Sequence, residues 1–563
     1  MANLGPVPPH RYYYLHNFQR ALDWIAQRYS DLLDAGERDF LARFAALSPL
    51  SQALMVRMLM RRGPWFRASK LVYEEIPGIE AAAEPLLALG WLDTQAPMLL
   101  EELFDLHTRS ELSGVFAGAE RGSGTRKSDW LQALAGVHPA ARRYAEWHPS
   151  AHEPVWRVMI GELSERLRLM FFGNLHQNWT EFVLADLGVF KYESVAFDAA
   201  SRAFQTREDI DAYLALQACR QALEDGADPA AVLQSLAACA SPNPWLEKRR
   251  AKLLLRLGNA CERAGRFDEA LQTYAQCSYP GARHRRIRVL ERLERHEEAL
   301  QQAVQAQQAP EGDEELQKLR RMLPRLLRNT GQATARQRAG ASPALVRMRA
   351  DIVLDAPLAP LAPLPVEYAL RAHWHSDASP VFYVENALIN SLFGLLCWPA
   401  IFAPVQGAFF HPFQSGPADL SAPDFAARRA EEFALCLAQL DAADYAQTIL
   451  ARYAEKQGVQ SPFVFWGVLT EPLLRLALEC ISANHLKLLF VRLMADVKTN
   501  RSGFPDLVRF WPGERRYELV EVKGPGDKLQ DNQIRWLQYC SDHGIPVSVC
   551  HVQWRLPAAG DAA

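Results

Sequence analysis

Cysteine is scarce and without pattern in this chain: nine residues in 563, none in a C-x-x-C pair, and the first at Cys219. An odd count without paired spacing argues against a disulfide framework and against a structural zinc site, and fits buried thiols in a reducing cytosol. Charge of one sign is lacking as well. Lys+Arg 62 stand against Asp+Glu 65, for a net charge of −3, so any basic surface that meets nucleic acid must be local. No apolar run approaches the roughly 18 residues of a membrane span. The opening MANLGPVPPH has no charged segment followed by an apolar one, so it does not read as a signal peptide. Neither a membrane partner nor a small-molecule substrate is expected. What the chain does have is 49% apolar side chains, enough for several cores, and at roughly 100–200 residues per domain three to five domains are expected.

Along the chain, Leu15, Phe18, Leu22 and Ile25, then Phe40, Phe44 and Leu47, recur at helical spacing. A helix is expected to end at Gly63-Pro64, ahead of the aromatic pair Trp65 and Phe66. Together with a helix and turn over 78–94, this suits a winged-helix-like module. Between 57 and 70 stand five basic residues and no acid: Arg57, Arg61, Arg62, Arg67 and Lys70. Two readings fit. One is a solvated helix face with two core aromatics; the other is a patch that contacts DNA phosphates. Over 100–136, short amphipathic helices flank a Gly-rich turn, RGSGTRKSDW (121–130), bearing Arg121, Arg126 and Lys127. This arrangement resembles the SAP module, a helix hairpin that binds duplex DNA, and cations beside a helix N-terminus suit a phosphate.

From about 205 to 325 the chain reads as helical throughout. Gly258, Ala270 and Tyr274 fit the tetratricopeptide pattern, and a second copy begins at Arg295, 29 residues after Arg266. That period is shorter than the usual one of about 34, so the array is degenerate and reads as a spacer. An Ala-, Pro- and Arg-rich stretch over 330–366 reads as a linker with one short strand. The division expected is 1–98 helical and winged-helix-like, 99–140 SAP-like, 141–335 tetratricopeptide-like, 336–366 linker, and 367–557 an α/β domain. The fold class is multidomain, with a mostly α-helical N-terminal two-thirds and a C-terminal α/β domain.

The chemistry is expected near the C-terminal end. DLVRFW (506–511) and YELVEVK (517–523) have strand character and flank a Pro-Gly turn, so they read as an antiparallel hairpin. Glu521 and Lys523 lie two apart, on one sheet face. If the hairpin closes as the turn suggests, Asp506 comes near both across the strands. Two carboxylates beside an ammonium call for a further partner. Oxygen ligands with open positions suit Mg²⁺ or Mn²⁺, which can polarise a phosphodiester, with Lys523 orienting or deprotonating a water. Taken alone, the same residues also describe a solvated strand face.

Pro505-Asp506, fourteen residues, then Glu521-Val522-Lys523 is the PD-(D/E)xK nuclease signature. Together with Gly503, Gly524-Pro525, Asp527, Gln533 and Trp536-Leu537 it resembles the VRR-NUC branch of that superfamily. VEYALRAHW (366–374) and VENALINSLFGLLCWPAIF (384–402) are similar to the start of this domain in the Fanconi-associated nuclease family. The basic run, the SAP-like turn and the helical array occur there in the same order. The resemblance implies that Asp506, Glu521, Lys523 and Gln533 are catalytic. It also implies that Glu385, Asp506, Glu521 and the Val522 carbonyl ligate metal. Without it, Glu385 reads equally as a surface carboxylate at a helix N-terminus. The implied activity is structure-specific cleavage of branched or flapped duplex DNA, with 5′-flap endonuclease and 5′-to-3′ exonuclease action of phosphodiesterase I type, in interstrand-crosslink repair. Arg57, Arg61, Arg62, Arg67, Lys70, Arg126 and Lys127 are the expected DNA contacts. The expected location is cytoplasmic at the nucleoid, or nuclear in a eukaryote. No cysteine precedes 219, so the ubiquitin-binding zinc finger of vertebrate members is expected to be absent. The alternatives are a Holliday-junction resolvase and a non-catalytic DNA-binding adaptor.

Overall fold

The computed structural model describes residues 11–116, 126–185, 190–332, 348–355 and 365–555. Two compact units emerge: residues 1–190 with 204–210, and 191–203 with 211–563.

In the first unit, helices Tyr13–Arg28, Ala35–Ala46 and Pro49–Leu59 follow one another. The second and third starts are chemically marked. Asp34 accepts from the Glu37 N–H at 2.7 Å while the Glu37 carboxylate accepts from the Asp34 N–H, and Ser48 caps the third helix ahead of Pro49. Leu15, Phe18, Leu22 and Ile25 are all buried, as their spacing predicts. Gly63, at φ 83°, turns the chain into β1 (Trp65–Arg67). Further on come β2 (Leu92–Asp93), β3 (Pro97–Met98), β4 (Arg142–Arg143) and β5 (Val155–Val158). The wing is a three-stranded antiparallel sheet in the order β1-β5-β2. Its central strand arrives from beyond the SAP-like segment. Residues 141–190 therefore lie in this unit, and the compact units divide the chain near 190–211 rather than at 140. Helices Leu100–Leu106, Arg109–Val115 and Lys127–Ala135 close around Leu103, Phe104, Leu112, Phe116, Trp130 and Leu134. The first half of the Gly-rich segment, 121–125 with Arg121, lies outside the described residues.

The second unit begins with paired helices, among them Pro244–Arg263, Phe267–Ala275, Ala282–Arg292, His296–Gln308 and Asp313–Asn329. The repeat pattern has a steric basis. A Cβ on Gly258 would meet the Tyr274 ring at 2.4 Å, so only glycine lets these two helices close. Ala270 and Ala299 are fully buried at the matching contacts. The arginines between the repeats are used internally: Arg285 and Arg288 bind the buried Glu262 at 3.3 and 3.0 Å, and Arg283 binds Glu315 at 2.5 Å.

The strand expected inside the Ala/Pro-rich stretch is real. β6 (Arg349–Asp355) is an edge of the second unit's sheet, so the sheet starts before residue 367. With β7 (Val381–Tyr383), β8 (Leu507–Trp511), β9 (Arg516–Lys523) and β10 (Val547–Arg555), the order is β6-β10-β9-β8-β7. The first three run parallel, and β8 pairs antiparallel with both β9 and β7. Between β7 and β8 lies a largely helical insertion whose core includes Leu392, Phe393, Phe433, Phe463 and Phe490.

Candidate active site

The β8–β9 hairpin pairs Leu507 with Val520 and Trp511 with Arg516. This register sets Asp506, one residue before β8, against Glu521. Asp506 Oδ2 accepts from the Val522 N–H at 2.8 Å, which ties its carboxylate across the strands. Glu521 is fully buried, and Asp506 and Lys523 nearly so. Lys523 Nζ lies 2.7 Å from Glu521 Oε1. Gln533 is in the first turn of the helix Asp531–Asp542 and donates from Nε2 to the same oxygen at 2.5 Å, while its Oε1 accepts from the Gln530 N–H at 2.8 Å. One side chain thus caps its own helix and reaches the site. Trp536 fixes that helix: its ring packs, tilted, against Phe504 with centroids 4.1 Å apart, and it donates to the Asn500 carbonyl at 3.1 Å. Asp527 accepts from the Gly524 N–H at 2.9 Å, closing the loop after Lys523.

Glu385 does not open a helix. It sits in the turn between β7 and the helix Leu388–Leu396, exposed, with Tyr383 Oη donating to its Oε2 at 2.6 Å. The electrostatics bring the acids together. Burial pushes the Asp506 carboxyl up to about 6, and Glu385 and Glu367 add to the rise against the pull of the Val522 N–H and Lys523. Burial likewise pushes Glu521 up to about 7, with Asp506 adding to it and Lys523 opposing. Glu367 stands in the first turn of the helix Val366–Trp374. Sequence reasoning missed it, along with Tyr383 and Asn386. A carboxylate in the first turn of the helix that starts the domain is the signal that could have found Glu367.

Among the described residues, no group of three or more His, Cys, Asp or Glu side chains closes into a metal-holding cluster. The fit for a divalent cation rests on a smaller feature. Glu521 Oε2 is buried with no hydrogen-bond partner, while Oε1 takes both Lys523 and Gln533. A buried carboxylate oxygen left bare is costly unless something positive meets it. With Asp506 opposite and the Val522 backbone between, the donors are hard oxygens of the kind Mg²⁺ and Mn²⁺ take.

The expected DNA contacts separate into two groups. Arg57 binds Glu75 at 2.5 Å and lies 3.8 Å over the Tyr14 ring. Arg67 binds Glu111 at 2.7 Å and Glu153 at 2.6 Å. Lys127 donates to the His107 carbonyl at 2.8 Å. These three are engaged by partners within the protein, and Trp65 and Phe66 are core. Arg61, Arg62, Lys70 and Arg126 are exposed, and the first three line a cavity of about 270 Å³.

A mixed sheet with Asp, Glu and Lys on adjacent antiparallel strands, backed by a helix that sends a glutamine to the Glu, defines a nuclease domain of the PD-(D/E)xK type. Comparison with known proteins gives the same class. Residues 441–554 match the VRR-NUC domain, 12–93 the FAN1 HTH domain, and 97–147 the Fanconi anemia-associated nuclease SAP domain. The chain is 51% identical over 552 residues to the Fanconi-associated nuclease 1 homolog of Pseudomonas aeruginosa, covering 98% of each. It is 26% identical to the homolog of Arabidopsis thaliana over 97% of this chain and 67% of that one. A crystal structure of paFAN1 bound to 5′-flap DNA with a gap superposes with a TM-score of 0.88 at 50% identity, over 98% of this chain and 100% of that one. The chain belongs to the Fanconi-associated nuclease family, and it is a nuclease.

Proposed function

We propose that this nuclease cuts duplex DNA near 5′ flaps and resects from 5′ ends in a divalent-metal-dependent, phosphodiesterase I type reaction that serves interstrand-crosslink repair. The observation that carries the reading is the buried Asp506–Glu521–Lys523 constellation with one Glu521 oxygen unsatisfied. The family relationship and the 5′-flap DNA held by the similar paFAN1 structures support the substrate.

Asp506, Glu521, Glu385 and the Val522 carbonyl would hold the ion, Mg²⁺ or Mn²⁺. When bound, it supplies a Lewis acid beside the scissile phosphate. Lys523 orients the attacking water and steadies negative charge on the phosphoryl oxygens. Gln533 fixes the Glu521 carboxylate by its donor bond and so sets which oxygen faces the ion. The buried setting strengthens each of these charge interactions, because little water screens them. Arg61, Arg62, Lys70 and Arg126 would hold the duplex by its phosphates. Such contacts position DNA without reading its sequence, so branch geometry sets specificity. The cell compartment that fits is the nucleoid.

The test is cleavage of an end-labelled 5′-flap duplex with Mg²⁺, with Mn²⁺ and with EDTA. Cleavage with either ion, its loss in EDTA and in Asp506→Ala, and unchanged flap binding by that variant are expected. Equal cleavage in EDTA would refute metal dependence.

A further inference from the structure

Glu385 is an exposed carboxylate whose oxygens are nonetheless both engaged. Tyr383 Oη donates to Oε2 at 2.6 Å and Asn386 Nδ2 donates to Oε1 at 3.1 Å. Long acidic side chains at a surface usually keep their rotamer freedom, since fixing one costs entropy. Its charge also reaches Asp506, whose carboxyl it helps to raise. The donors are themselves fixed. The Tyr383 ring stacks on Tyr368 at 5.1 Å, and its residue pairs with Leu507 across the β7–β8 ladder.

Asn386 reaches further. Its Oδ1 accepts from the Phe504 N–H at 3.2 Å, two residues before Asp506. Its backbone is left-handed, φ 51°, a conformation asparagine tolerates better than most residues. The buried Asn390 holds it there, donating from Nδ2 to the Asn386 carbonyl at 2.7 Å and to the Arg501 carbonyl at 2.8 Å. The neighbouring Val384 N–H donates to the Asp506 carbonyl at 2.9 Å. One asparagine therefore links the Glu385 carboxylate to the segment that carries Asp506.

We propose that Tyr383 and Asn386 are positioning residues that hold the Glu385 carboxylate in register with Asp506 for a divalent cation. The proposal rests on the reading of Glu385 as a ligand. Residues that orient a ligating carboxylate through hydrogen bonds typically govern metal affinity by 10–100-fold. Both carboxylate oxygens keep further lone pairs, so the two bonds aim the group without using up its capacity to ligate.

The test is a calorimetric Mn²⁺ titration of the full chain without DNA, on the wild type and on Glu385→Gln, Tyr383→Phe and Asn386→Gly. Glycine keeps the left-handed backbone open, so the last variant removes only the side-chain bonds. Tyr383→Phe and Asn386→Gly are expected to weaken Mn²⁺ binding about tenfold, and Glu385→Gln at least as much. The cleavage rate that Tyr383→Phe loses should be recovered by raising Mn²⁺. If Glu385→Gln weakens binding while the other two bind as the wild type does, the positioning role is overturned and the ligand reading stands. If Glu385→Gln itself binds Mn²⁺ as the wild type does, both fall. Should Asn386→Gly fail to fold, Tyr383→Phe, which removes a single oxygen, decides the matter.

Discussion

Glu521 Oε1 receives Lys523 and Gln533 at 2.7 and 2.5 Å, and the other oxygen receives nothing. That asymmetry divides labour within one carboxylate: one oxygen is anchored and the other is left for an ion. Removing the Gln533 donor should let the group rotate. Gln533→Ala is expected to slow flap cleavage about tenfold at limiting Mn²⁺, the size of effect typical when a ligand's outer partner is removed, and a Mn²⁺ titration of the rate checks it. A second outcome follows from burial. Asp506 and Glu521 hold their protons up to about 6 and about 7, well above their ordinary 3.8 and 4.5. These two groups therefore bind more protons in the folded chain than in the unfolded one between those limits, and their own contribution to stability without metal falls as pH rises through about 4 to 7. Thermal melts in EDTA should show it as a difference: Glu521→Gln, which cannot ionise, gains stability relative to the wild type between pH 5.5 and 7.5. Added Mn²⁺ should raise the melting temperature more at 7.5, where the carboxylates are ionised and bind it better.

Among the elements, the basic run extends from the helix Pro49–Leu59 through the turn after it and β1 to Lys70, and the structure splits it by exposure. Arg67 is held by two carboxylates and half-buried, whereas Arg61, Arg62 and Lys70 are exposed, with Lys70 3.4 Å from Glu111. The triple change of Arg61, Arg62 and Lys70 to Ala should leave the melting temperature unchanged and weaken flap binding. It should also flatten the slope of log K against log salt by about one for each phosphate that these side chains neutralise. Arg67→Ala should do the reverse and lower stability, because it removes the cation that Glu111 and Glu153 share. An unaltered salt slope in the triple variant would remove these three from the DNA surface. Sequence could not have made this division, since the partners of Arg67 lie far along the chain, Glu153 86 residues away.

The hairpin was legible because its information is local. A period of two places Glu521 and Lys523 on one face, and the turn between the strands sets the register. The turn's left-handed residue is Arg515, at φ 48°. The tetratricopeptide-like pattern that includes Gly258 and Tyr274 was legible for the same reason, and in the structure these two residues meet. Gly258→Ala should therefore destabilise the chain by about 1–3 kcal/mol, the cost of overpacking a closed contact, as a urea melt will show. What escaped the sequence is what long-range pairing decides. β5 enters the wing from 155–158, β6 joins the sheet from a stretch that reads as linker, and Glu367 and Asn386 converge on Asp506 and Glu385 from separate elements.

At the scale of the whole molecule, the nuclease chemistry sits in one compact unit and the exposed basic run in the other. Phosphate contacts would hold the DNA and one buried constellation would cut it, with branch geometry deciding where. The most direct measurement is initial cleavage rates, at equal concentration and with Mn²⁺, on end-labelled 5′-flap, 3′-flap, plain duplex and four-way-junction DNA of matched sequence, with Asp506→Ala alongside. Fast cleavage of the 5′ flap, little dependence on its sequence, much slower cleavage of the other three, and none by the variant are predicted. Rates equal across all four structures, a preference for the junction, or cleavage that survives Asp506→Ala would contradict this division of roles.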